Sequence, residues 1–144
     1  MHFSLVDRVL ECSSERAVTL KLVSQGEEYL QDHFPTFPVL PGVLMLESLV
    51  QAGRVLAAHR AGGVSSRLVL GRVRALKYGR FVQPGASLRV EVLLRKELDG
   101  GVLDLEGKAF LIEPGESAAD LPIAASGRFE LRPIRVAARV PAMA

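Results

Sequence analysis

The chain has 144 residues, the usual length of one domain, and it is long enough to bury a substantial core. Hydrophobic residues make up 49%, charged residues 24%, and the net charge is only +2, which excludes a disordered tail protein and does not indicate nucleic-acid binding. A lone cysteine, Cys12, excludes an internal disulfide framework and a cysteine-rich zinc site. Because neither a membrane-spanning stretch nor a signal-peptide pattern is visible, we expect a cytoplasmic protein.

The chain begins with a predicted pair of strands. Residues 4–11 and 17–23 are rich in strand formers, with residues 13–16 as the turn between them. Apolar and polar residues alternate in the second strand. This alternation predicts two faces, one with Val18, Leu20 and Leu22 and the other with Thr19 and Lys21.

One long helix is predicted after a proline-rich loop at residues 24–40. It spans residues 42–60, begins directly after Pro41 and ends at Gly62-Gly63. The helix is apolar on nearly all sides, which is typical of a buried helix. Since one sheet of this size can cover only part of it, we expect a second subunit to cover the rest.

The second half of the chain predicts four strands, at residues 67–77, 87–97, 101–112 and about 121–132. Asp99-Gly100-Gly101 is a hairpin signal between the second and third of them. The element order predicts an α+β fold with one helix against an antiparallel sheet. We expect a single domain over residues 1–132 and a basic tail over residues 133–144.

Polar residues form a single stripe on the predicted helix. Glu47, Gln51 and Arg54 are spaced four and three residues apart and therefore share a face. A carboxylate on an otherwise apolar helix needs a partner, because burying an unpaired charge is costly. Glu47 is therefore either a functional acid or one half of a structural ion pair, with Arg54 or a sheet arginine as its partner.

Two further residues near the helix start carry groups that suit a role in catalysis. His33 lies in the loop, where a neutral imidazole can accept a proton near neutral pH; alternatively, it is a packed histidine bonded to the backbone. Gly42 lies at the helix N-terminus, where unpaired amides favour developing negative charge, or it is a plain helix-entry residue. Together with Glu47 they supply a base, an acid and an electrophilic donor, the groups needed to eliminate water from a 3-hydroxyacyl thioester.

The same residues carry a family resemblance. Residues 33–44 read HFPTFPVLPGVL, and with Glu47 and Gln51 they resemble the signature of bacterial 3-hydroxyacyl-acyl-carrier-protein dehydratases of fatty acid synthesis. Residues 5–9, LVDRV, resemble the first strand of that family, and residues 77–85, KYGRFVQPG, resemble its strand and turn after the helix. The resemblance extends over roughly residues 3–113.

The resemblance implies a hot-dog fold, in which an antiparallel sheet wraps a long central helix, and a dimer or trimer of dimers in which two sheets are continuous. It implies an active site between subunits, with His33 as the base-like residue, Glu47 of the partner chain as the acid, Gly42 as the carbonyl-binding donor and Gln51 beside the acid. A glutamate at position 47 resembles the broad-specificity branch, which favours dehydration without isomerisation. For the lining of an apolar acyl tunnel we predict Phe34, Val43 and Leu44.

Acyl-carrier protein is the partner that the resemblance implies. Because carrier proteins are acidic, we predict a basic docking patch formed by Arg72, Arg74, Lys77 and Arg80, unless these residues are an ordinary solvated strand face. No metal-ligand spacing and no phosphate-binding loop occurs, so we expect no metal, cofactor or nucleic acid. A hot-dog thioesterase or enoyl hydratase and a non-catalytic acyl-binding subunit are the alternative functions.

Overall fold

The computed structural model describes residues 3–63, 67–116 and 119–134. In these ranges the strands are β1 (Arg8–Cys12), β2 (Arg16–Leu22), β3 (Leu68–Tyr78), β4 (Ser87–Leu98), β5 (Val102–Ile112) and β6 (Ile123–Pro133). The helix α1 spans Gly42–Arg60, and a single 3-10 turn spans Glu28–Leu30. β6 passes the predicted domain end by one residue, and the predicted tail from residue 135 onward lies outside the described residues.

The six strands form one antiparallel sheet in the order β1-β2-β4-β5-β6-β3. α1 lies against one face of this sheet and contacts every strand. This confirms the α+β expectation and the hot-dog arrangement of a helix wrapped by a sheet. β3 follows the helix in sequence but pairs only with β6 among the described strands, which leaves β3 at a sheet edge. Among the described helices, none combines the length and hydropathy needed to cross a membrane.

The helix has the predicted bounds, and its sides are not equivalent. One side is buried against the sheet and includes Met45, Leu49, Ala52 and Leu56. The other side carries the polar stripe of Glu47, Gln51 and Arg54, which are half-buried in the single chain. The sheet of one chain therefore covers only part of the helix, as its all-round apolar composition predicts.

Close packing fixes the depth of α1 in the sheet. At Gly53 an added β-carbon would lie 2.9 Å from Leu105 Cδ1 in β5 and 3.1 Å from Phe129 Cε2 in β6. Such distances leave no room for a side chain, so the helix backbone rests directly on these two strands. Gly53 thus permits the close approach that sets the position of the whole helix.

The alternation predicted in β2 is present. Thr19 and Lys21 lie on the sheet face that packs against α1, whereas Val18, Leu20 and Leu22 lie on the opposite face. Thr19 and Lys21 pair with Val90 and Leu88 of β4, which are core residues on the face that packs against α1. Lys21 is 5% exposed, and its ammonium group pairs with the carboxylates of Glu27 and Asp7. A buried lysine is tolerated here because two acids compensate its charge.

The same ion cluster anchors the segment that leads toward His33. Glu27 accepts a hydrogen bond from the Tyr29 hydroxyl, and the Tyr29 ring packs edge-on against Phe3. Burial, followed by the neighbouring Glu27, raises the pKa of Tyr29 well above its usual range, so the phenol stays protonated and donates. The N-terminal segment, β2 and the loop are thereby joined.

Replacing Gly53 by alanine tests the seating of the helix. A glycine-to-alanine change inside a helix normally stabilises it, by about 0.5–1 kcal/mol. Here we expect destabilisation of about 1–3 kcal/mol, because the new methyl group overpacks the contact with Leu105 and Phe129. Denaturant unfolding at a fixed protein concentration measures the effect, and a stabilised Gly53→Ala variant would contradict this packing.

Candidate active site

A cavity of about 480 Å³ opens at the N-terminal end of α1. Three segments supply its walls: the loop before the helix, the first turn of the helix, and the end of β3 with the residues that follow it. The lining residues are His33, Phe34, Val39, Leu40, Gly42, Met45, Tyr78, Gly79, Arg80 and Phe81. A backbone hydrogen bond of 2.8 Å from Leu40 to Val82 joins the first segment to the third. The mostly apolar walls with few polar groups are typical of a site for a small apolar ligand.

His33 is held in one orientation at the cavity wall. Its Nδ1 lies 2.9 Å from the carbonyl oxygen of Val39, and the Val39 amide donates to the His33 carbonyl at 2.9 Å. A carbonyl oxygen only accepts hydrogen bonds, so Nδ1 carries the hydrogen and Nε2 of the neutral ring is left with its lone pair. The imidazole is thus oriented to accept a proton at Nε2.

The start of α1 presents unpaired amides at this cavity. The amides of Leu44 and Met45 donate to Pro41, whereas those of Gly42 and Val43 have no acceptor among the described residues. Unpaired amides at a helix N-terminus carry partial positive charge and bind oxygen atoms that develop negative charge. Gly42 therefore lies where the sequence predicts a carbonyl-binding donor.

Tyr78 is a cavity residue for which the sequence pattern predicts no role. An added β-carbon on Gly42 would lie 3.0 Å from Tyr78 Cζ, so the tyrosine ring covers the helix start only because residue 42 is glycine. Desolvation by burial raises the pKa of the Tyr78 phenol. The sequence signal for Tyr78 was its place in the motif at residues 77–85. Its contact with the helix start is a long-range contact, which the motif alone does not reveal.

Glu47 does not line the cavity that contains His33 in the same chain. Its Oε1 accepts a hydrogen bond of 3.1 Å from Gln51 Nε2 and lies 3.5 Å from Arg54 Nη1. The alternative reading of Glu47, an ion pair with Arg54, is therefore realised in the structure. That pair does not exclude a functional acid, because both side chains remain half-buried on the side of the helix that the sheet leaves uncovered.

Gln51 has its amide orientation fixed by the N-terminal segment. Its Oε1 accepts from the Leu5 amide at 2.7 Å, and its Nε2 donates to the Phe3 carbonyl at 2.8 Å. Because the oxygen is bound to an amide donor, the nitrogen is the end that reaches Glu47. Gln51 thus contacts Glu47 in the structure, its supporting role beside an acid stays a prediction, and the backbone at residues 3–5 is a further contact that sequence reasoning missed.

The predicted tunnel residues differ in their positions. Phe34 lines the cavity and stacks on His33 with ring centroids 4.6 Å apart. Val43 is 70% exposed, and Leu44 packs against the core, so neither lines this cavity of the single chain. The aromatic side chains of the proline-rich loop are exposed in the single chain, Phe34 at 54% and Phe37 at 46%.

The predicted basic patch divides into free and paired residues. Arg72, Lys77 and Arg80 are exposed and form no ion pair within the described part of the chain. Arg74, in contrast, lies 3.6 Å from both the fully buried Asp104 and Glu130. Its charge is therefore largely compensated within the sheet. Among the described residues, no group of three or more His, Cys, Asp or Glu side chains could hold a metal ion.

Comparison with known proteins gives the site its context. A family model described as a FabA-like domain matches residues 1–111. A 3-hydroxyacyl-[acyl-carrier-protein] dehydratase FabZ of Pelotomaculum thermopropionicum is 38% identical over 123 residues, 85% of this chain and 87% of that protein. The FabZ of Bacillus pumilus is 38% identical over 119 residues, covering 82% and 81% of the two chains.

Two solved structures share the fold at low sequence identity. The dehydratase heterocomplex ApeI:P from Xenorhabdus doucetiae matches with a TM-score of 0.66 and 17% identity, over 91% of this chain and 99% of that chain. AziG of S. sahachiroi matches with a TM-score of 0.64 and 14% identity, over 90% and 91% of the two chains. The family model and the relatives, together with a cavity that brings His33 and Gly42 together, show that the chain belongs to the FabA-like family of dehydratases.

Proposed function

We propose that this chain dehydrates (3R)-3-hydroxyacyl thioesters on acyl-carrier protein to trans-2-enoyl thioesters in fatty acid biosynthesis. The observation that carries the proposal is that His33 Nε2, left free by the Val39 contact, and the unpaired helix amide of Gly42 lie at one apolar cavity. The FabZ relatives carry the same activity in their names. We infer that the enzyme acts in the cytoplasm, where its free Cys12 is stable in reduced form.

The cavity contains two of the three groups that the reaction needs. His33 Nε2 removes the proton from the carbon next to the thioester carbonyl. The amide of Gly42 then donates to the carbonyl oxygen, where negative charge develops as the C–H bond breaks. The apolar walls exclude water from the enolate-like intermediate and hold the acyl chain.

The third group, the acid, is supplied by Glu47 of a second subunit in this proposal. Glu47 lies outside the cavity of its own chain, on the helix side that the chain's own sheet leaves uncovered. Phe34 and Phe81 of the cavity wall are 54% and 71% exposed, and Val43, the neighbour of Gly42 in the chain, is 70% exposed. A patch of this kind marks an interaction surface, and a symmetric dimer would bring each helix to the cavity of its partner.

Substitution of the proposed catalytic pair tests the reaction directly. We expect His33→Ala and Glu47→Gln each to lower kcat/KM for enoyl-thioester interconversion by about 10²–10⁴-fold, because each removes one proton-transfer group. The measurement is turnover of crotonyl thioester, followed by product analysis. Release of free acid and thiol would instead identify a thioesterase, and acyl binding by an inactive wild-type protein would identify a non-catalytic subunit.

Mixing the two variants tests whether the site is shared. After unfolding and joint refolding, half of the dimers pair His33→Ala with Glu47→Gln, and each such dimer has one intact site of two. We therefore expect recovery of about a quarter of wild-type activity. Each variant refolded alone is the control. If the mixture is no more active than the controls, the histidine and the acid belong to the same chain.

Carrier docking is proposed at the exposed basic residues beside the cavity. Arg80 lines the cavity, and Arg72 and Lys77 lie on β3, the edge strand that leads to it. Their charges are uncompensated within the described residues, which favours contact with an acidic protein surface. Arg74 contributes less, since Asp104 and Glu130 hold its guanidinium group.

Charge reversal separates docking from chemistry. We expect Arg72→Glu combined with Lys77→Glu to raise KM for a carrier-bound substrate about tenfold, because a rim charge steers and orients the partner. A small thioester analogue, which makes no carrier contact, should be unaffected. The matched control is Arg8→Glu, an exposed arginine on β1 at the opposite sheet edge. Equal effects on both substrates would remove the docking surface.

A further inference from the structure

Arg54 contacts the proposed acid in this structure. Its Nη1 lies 3.5 Å from Oε1 of Glu47, seven residues earlier on the same helix face. Its Nε donates to the carbonyl oxygen of Leu68 at 3.0 Å, at the start of β3. The sheet thus fixes Nε of the guanidinium group, and Nη1 of the same group points at the Glu47 carboxylate. Gly53 and Leu56, the buried residues on either side of this position, keep this part of α1 seated on the sheet.

Both donors to Glu47 use the same carboxylate oxygen. Gln51 Nε2 donates to Oε1 at 3.1 Å, and Arg54 approaches Oε1 as well, whereas Oε2 has no hydrogen-bond donor among the described residues. In a protonated carboxyl group the carbonyl oxygen is the stronger acceptor, so two N–H donors at Oε1 favour Oε1 as the carbonyl oxygen and Oε2 as the hydroxyl oxygen. The proton of a protonated Glu47 is therefore placed on Oε2.

We propose that Arg54 is a positioning residue for the catalytic acid, which together with Gln51 directs Oε2 of Glu47 toward the substrate and stabilises the carboxylate formed when that oxygen gives up its proton. This inference rests on the proposed dehydration. Arg54 itself touches neither the substrate nor the reacting atoms; it acts through Glu47.

The chemistry explains why a cation is useful at this place. In the elimination, His33 Nε2 takes the proton from substrate carbon 2, and the Oε2–H bond of Glu47 breaks as its proton passes to the 3-hydroxyl oxygen. The bond between carbon 3 and that oxygen then breaks, and water leaves. Glu47 becomes negative during this step, and a donor already oriented at Oε1 stabilises that charge without rearrangement.

Three variants test the role of Arg54. We expect Arg54→Met, which keeps the side-chain length and removes the charge, to lower kcat about tenfold with KM changed less than about twofold, because a loosely held acid is misaligned in the transition state. Arg54→Lys should restore most of the lost kcat. The matched control is Arg60→Met, since Arg60 lies on the same helix and donates to a backbone carbonyl, that of Ser14, without contacting Glu47.

A second readout distinguishes positioning from structural support. In a Glu47→Asp background the shorter carboxylate is withdrawn from Arg54, so adding Arg54→Met should reduce kcat by less than about twofold further. Unchanged kcat in Arg54→Met, a rise in KM alone, or equal kcat losses in Arg54→Met and Arg60→Met would overturn the assignment. Wild-type protein that forms no enoyl thioester would instead overturn the proposed function, so the two failures are distinguishable.

Discussion

The seating of α1 on the sheet is the contact on which the rest of the structure depends. Gly53 lets the helix backbone rest on Leu105 and Phe129. Gly107 in β5 likewise leaves room for the helix residue Leu49, since an added β-carbon there would lie 3.1 Å from Leu49 Cδ2. These two positions set both the depth and the rotation of the helix. Once both are set, Gly42 lies at the cavity and the polar stripe lies on the opposite, uncovered side. A shift of the helix would therefore move Gly42 and Glu47, the proposed carbonyl-binding donor and the proposed acid, together.

The polar stripe shows how one helix face can combine structure and chemistry. Two of its three side chains are supported from elsewhere in the chain: Gln51 binds the backbone of residues 3–5, and Arg54 binds the carbonyl of Leu68. Their remaining N–H groups converge on Glu47. A carboxylate on an otherwise apolar helix is thereby held without full burial, which limits the desolvation cost of its charge. The structural and the proposed functional interpretation of Glu47 are compatible, because the ion pair holds the carboxylate in place.

Under the proposed function the site of a single chain is incomplete, which links assembly to activity. The cavity with His33 has exposed apolar side chains in its wall, while Glu47, the proposed acid, lies outside it. In the proposed dimer, the contact that buries these apolar side chains also brings a Glu47 to His33 and Gly42. An unassembled chain would therefore be inactive and would leave apolar side chains exposed to water. The edge position of β3 is compatible with the continuous sheet that the family resemblance implies.

The sequence by itself determined the local features. The helix bounds follow from Pro41, the apolar run and Gly62-Gly63, and the hairpin follows from Asp99-Gly100-Gly101. The motif indicates His33, Gly42, Glu47 and Gln51 as candidate site residues. These signals are local in the chain, or are family patterns, and need no knowledge of long-range contacts.

Only the tertiary structure decided how distant segments meet. The face of β2 that packs on the helix carries Lys21, because Glu27 and Asp7 compensate its charge, and alternation alone does not reveal such partners. Tyr78 reaches Gly42, and Arg54 reaches Leu68, because β3 pairs with β6 at the far edge of the sheet rather than with β2. Strand order depends on packing summed over the whole core, and no single stretch of the sequence contains that information.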